Sequence, residues 1–152
     1  MKLAEALMLR ADAQKRLEQL KIRLLNNAKV QEGDSPAEKP ASLLEEAERV
    51  AVDLLNLIQR INQTNTSTQL EAGETIADAI ARRDVLRLRQ SLYRDLSAAS
   101  MAVQQRFSRS EVKFVSTIDI AEVQKQADTL ARECRELDAR IQSVNWQIDL
   151  QE

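Results

Sequence analysis

From Ile120 to Ile148 the chain carries Ile120, Val123, Ala127, Leu130, Cys134, Leu137, Ile141, Val144 and Ile148, an apolar or small residue at every alternating step of three and four. A repeat of seven keeps one narrow stripe turned toward a partner helix, while the polar residues between its members stay in water. The segment therefore predicts a helix-pairing seam. It specifies no chemistry.

The rest of the composition favours the same kind of fold. Hydrophobic residues make up 43% of the 152 positions and charged residues 30%, which is too apolar for a disordered chain and fits one domain, 1–152. Aromatic residues are only 3%, so Leu, Ile, Val and Ala must fill the interior, which suits thin helix-to-helix packing. Two Gly and two Pro leave few breaks between elements. The expected class is all-α: long antiparallel helices in a coiled-coil or helical bundle, with a small β-hairpin or an intersubunit β element.

Helices are predicted over about 2–30, 42–62, 75–105 and 119–148. The run EGDSPAEKPA, with Gly33, Pro36 and Pro40, connects the first two into an antiparallel hairpin. Ser42 with Glu45, and Asp119 with Glu122, have the spacing of capping boxes. The second helix is expected to fail near Asn62, where NQTNTSTQ offers side chains that compete for backbone hydrogen bonds. Ile76, Ala81, Val85, Leu88, Leu92, Leu96, Ala99 and Val103 are expected to form the buried side of the third helix. The alternating segments 64–70 and 111–117 read as short strands that meet between neighbouring protomers, because a continuous third helix would hold them at opposite ends of a rod.

The chain has no histidine and one cysteine, which removes the commonest general base, the commonest neutral metal ligand and any dithiol pair within one protomer. Glu71, Glu74 and Asp78 read as ordinary acids at a helix N-terminus, and no metal or cofactor is expected. Cys134 sits within the seam and reads as packing. A denser cluster is Arg82, Arg83, Arg87, Arg89 and Arg94, a possible contact for an anion or a partner. Its plainer reading is ion pairing with Asp78, Asp84 and Asp95. Asn65, Thr66 and Thr68 lie in a polar segment that ends at Gly73, just before a helix start, another place where an anion can bind. A net charge of −2 and the lack of aromatic stacking partners argue against nucleic acid. No stretch is apolar enough to span a bilayer and the N-terminus lacks the core of a secretory signal, so a cytoplasmic location is expected.

The run INQTNTSTQLEAGETIADAIARRDVLRLRQSLYRDL, together with MKLAEALMLRADAQKRLEQL and RSEVKFVSTIDI, resembles a family of small bacterial proteins of unassigned function, some of which carry the name septicolysin. That resemblance implies no catalytic residues; its name implies a membrane-active, cytolytic protein. The residues themselves point to a non-enzymatic coiled-coil protein that forms a homo-oligomer and presents surfaces to a protein partner. A septicolysin-like membrane-active role and an anion- or nucleic-acid-binding role are the alternatives.

Overall fold

Scarce helix breakers do produce long helices. The computed structural model describes residues 1–101 and 114–152, and within them the elements are α1 (Leu3–Asn26), α2 (Pro40–Ser67), β1 (Gln69–Glu71), β2 (Glu74–Thr75), α3 (Ile76–Met101) and α4 (Ile120–Gln147). The fold is all-helical and bundle-like, with one small antiparallel sheet. The backbone forms two compact units, Met1–Gln69 with Ser143–Glu152, and Leu70–Gln142.

In the first unit, α1 and α2 form an antiparallel hairpin. Leu3, Ala4, Ala6 and Leu20 of α1 are buried, as are Leu43, Ile61 and Thr64 of α2, and Arg16–Glu46 and Arg23–Glu38 ion pairs tie the two surfaces. Asn27 ends α1, its amide donating to the Arg23 carbonyl at 2.9 Å while its Oδ1 accepts the Glu38 N–H at 3.0 Å. Helix α2 begins with Pro40 after Lys39, so the Ser42–Glu45 capping box does not form; proline's missing N–H costs nothing at the first helical position. The last segment closes the unit. Leu3 N–H donates to the Ile148 carbonyl at 3.1 Å, Leu150 N–H donates to the Met1 carbonyl at 2.9 Å, and Lys2 Nζ lies 3.0 Å from Asp149.

Helix α2 does not fail at Asn62. The hydroxyls of Thr64, Thr66 and Ser67 donate to carbonyls one turn back, those of Arg60, Asn62 and Gln63, so the side chains that were expected to compete with the helix instead bond along it. Most of the strand expected at 64–70 is therefore helix. What remains, β1, pairs with the adjacent β2 across a two-residue turn in which Gly73 takes φ +84°, a value that residues with a β-carbon rarely adopt. The small sheet is thus a hairpin within one chain, not an element shared between protomers. Of the strand expected at 111–117, residues 111–113 lie outside the described residues and 114–117 are not strand.

In the second unit α3 and α4 run antiparallel. Ala79 and Leu86 of α3 bury against Leu130, Cys134, Leu137 and Ile141 of α4, with Leu70, Ile80 and Tyr93 at the margin. The side of α3 assigned to the interior from its sequence is mostly outside: Val85 is 54% exposed, Leu88 71%, Leu92 65% and Leu96 41%, and Ala81 and Ala99 are also exposed. Of that set Ile76 is buried, and Val103 lies outside the described residues. The interior takes Ala79, Leu86 and Ser97 instead, and the larger side chains of the other face stand in solvent.

Candidate functional site

The hairpin and the first turns of α3 bring together most of the charged residues that the sequence singles out. Thr75 and Asp78 cap α3 reciprocally. Thr75 N–H and Oγ1–H donate to Asp78 Oδ2 at 3.2 and 2.7 Å, and Asp78 N–H donates to Thr75 Oγ1 at 3.1 Å. These bonds hold the Asp78 carboxyl below the usual carboxylate range. The same pair fills the helix N-terminus after Gly73, leaving the chain's own carboxylate where an anion would otherwise bind.

Next to the cap, Arg82 grips Glu74 through two parallel bonds, Nε to Oε1 at 2.8 Å and Nη2 to Oε2 at 2.7 Å. The hydrogen bond depresses the Glu74 carboxyl and raises the guanidinium. Arg83 reaches both Asp84, at 2.9 Å, and Asp138 of α4, at 3.2 Å; Arg87 also contacts Asp138, at 3.4 Å. Arg94 pairs with Asp95 at 3.5 Å and donates to Ser91 at 3.3 Å. Arg140 of α4 binds Glu71 of β1. Arg89, exposed, makes no ion pair among the described residues.

The arrangement behaves as a lattice of internal pairs. Arg82, Arg83, Arg87 and Arg94 each face a carboxylate, so an incoming phosphate would have to displace one. On α2, Asn65 is half-buried, Thr66 Oγ1 donates to the Asn62 and Gln63 carbonyls at 3.0 Å, and Thr68 caps the helix with its N–H on the Thr64 carbonyl at 3.0 Å. Of these hydroxyls, that of Thr66 is spent on its own helix.

The seam divides by burial. Leu130, Cys134, Leu137 and Ile141 are buried, and Ile120, Val123, Ala127, Val144 and Ile148 are half-buried. Its central partner is α3 of the same chain. Beside Cys134 runs an open groove of about 210 Å³ lined by Arg87, Gln90, Ala131, Arg135 and Asp138, smaller than the roughly 300 Å³ at which ligand pockets begin. Sequence reasoning missed Asp138, the acceptor that Arg83 and Arg87 share, and Thr64, fully buried between the Arg60 carbonyl and the Gln151 N–H. Asp138 directly follows Leu137 of the seam, which was the available signal for it. Thr64 had none, because its second partner lies 87 residues away.

Residues 10–150 match the model of the family described as "Family of unknown function (DUF6847)", and the chain belongs to that family. A crystal structure of a functionally unknown conserved protein from Corynebacterium diphtheriae is 48% identical, with a TM-score of 0.95 over 99% of each chain. No curated protein matches. These findings correct the resemblance to a septicolysin-named family: the family matched is one of unknown function, and the relative carries no cytolytic label. No helix among the described residues is long and apolar enough to cross a membrane.

Proposed function

We propose that this member of a family of unknown function is a non-enzymatic, cytoplasmic interaction protein that associates with its own copies and, through the assembled surface, with a protein partner. One observation carries the reading. Large apolar side chains stand in solvent along successive helices: Met8, Leu9, Ile22 and Leu25 on α1, Leu44, Val52 and Leu55 on α2, and Val85, Leu88, Leu92 and Leu96 on α3. Single exposed leucines are ordinary, but Val85, Leu88, Leu92 and Leu96 share one face of α3, and a contiguous apolar face of that kind marks a surface used for association. Arg82, Arg83, Arg87 and Arg94 each face a carboxylate, and the buried Cys134 lies in the interior between α3 and α4.

Light scattering during size-exclusion chromatography tests the reading. At about 100 µM, where complexes of micromolar affinity are populated, the expected mass is a multiple of one chain. The mass of a single chain would overturn self-association.

A further inference from the structure

Helix α3 carries two faces of opposite use. Ala79 and Leu86 pack on α4, and Ser97 is buried on the same side of the helix. About half a turn away lie Ala81, Val85, Leu88, Leu92, Leu96 and Ala99, all exposed. The outer stripe is the more apolar of the two, since the inner face also holds Arg83, Gln90 and Ser97. Its steps of four, three, four, four and three repeat after eleven residues, from Val85 to Leu96 and from Leu88 to Ala99. That period of about 3.67 residues per turn keeps the stripe aligned along a nearly straight helix.

We propose that this stripe is the contact between two copies of the chain, with α3 lying parallel to α3 of the second copy across a two-fold axis along the helices. The proposal rests on the self-association reading and adds its face and its orientation. The charges beside the stripe select the orientation. Asp84 and Asp95 border one edge, and Arg82 and Arg89 border the other. In a parallel pair each edge meets the opposite edge of the partner helix, offset by about five positions, so Asp84, which also pairs with Arg83 of its own helix at 2.9 Å, faces Arg89 of the second copy, and the two-fold repeats the pair. In an antiparallel pair like edges meet, acid against acid and arginine against arginine. Arg89 is the arginine of this cluster that has no ion pair among the described residues. Arg87, further round on the acidic side, is taken up by Asp138 at 3.4 Å. A second copy is therefore the occupant for which the stripe has matching length, apolar character and charge.

Sedimentation equilibrium of the full chain, of L88E/L92E, and of D84R, R89D and their combination tests the proposal. L88E/L92E is expected to raise the dissociation constant by at least about tenfold. At dilution its helicity and melting should match the parent's, because Leu88 and Leu92 are already in solvent. D84R and R89D should each weaken association, and their combination should restore it. Disulfide trapping fixes the orientation: V85C and L96C should each cross-link to their own copies, whereas an antiparallel pair can trap at most one of them. Association by the full chain that L88E/L92E leaves unchanged would overturn this face while leaving self-association standing. Trapping at only one position would overturn the parallel arrangement. A monomeric full chain would overturn the proposal and the reading beneath it together.

Discussion

At the scale of single residues, Thr64 shows how a polar side chain becomes part of an interior. Its hydroxyl donates to the Arg60 carbonyl at 2.8 Å and accepts the Gln151 N–H at 3.0 Å, and the residue is fully buried. Replacing it with the similarly shaped valine would strand the Gln151 N–H, so Thr64→Val is expected to cost about 1–3 kcal/mol in urea unfolding. Thr66→Val, at an exposed neighbour on the same helix, is expected to change stability by no more than about 0.5 kcal/mol. Equal effects at the two positions would contradict the burial of Thr64. Both residues belong to one polar run, and their sequence context does not tell them apart.

At the scale of elements, helix ends separate motifs that form from motifs that only match a pattern. Thr75 and Asp78 form a reciprocal cap, and Asp119 Oδ1 accepts the Glu122 N–H at 3.2 Å. Ser42 and Glu45 have the same spacing, but α2 starts two residues earlier at Pro40, which places Ser42 inside the helix. Thr75→Ala is therefore expected to cost about 1 kcal/mol, and Ser42→Ala to stay within about 0.5 kcal/mol, measured by thermal or chemical unfolding. The stripes follow the same logic. The seam of α4 and the outer stripe of α3 are both apolar at helical spacing, yet the first packs within the chain and the second does not.

At the scale of the whole molecule, the acid side of the pH profile follows from four carboxyls, among the described residues, held below their usual range. Their main causes are hydrogen bonds from Arg23 to Glu38, from Arg82 to Glu74, from Thr75 to Asp78, and from Lys2 to Asp149. A depressed folded-state value means that the unfolded chain binds more protons in the window between the two values, so stability rises with pH there. The contribution is complete above the unfolded carboxylate range, about 4, and is lost as pH falls through the depressed values. With no histidine in the chain, melting temperatures should be level between about pH 6 and 8 and fall below about pH 4. All four groups are at the surface, so salt should reduce the slope. A step near neutral pH would contradict this account.

Periodicity and scarce breakers act locally along the chain, so its helical class and the apolar stripe of α4 were legible before any tertiary contact. The burial of Thr64 was decided by its contact with Gln151, far away in sequence. The partner of the α4 seam and the inner face of α3 were also tertiary decisions. An apolar period states that a face avoids water; it does not state which of two faces finds a neighbour. On α3, Ala79 and Leu86 pack on α4, and the larger Val85, Leu88 and Leu92 stand in solvent.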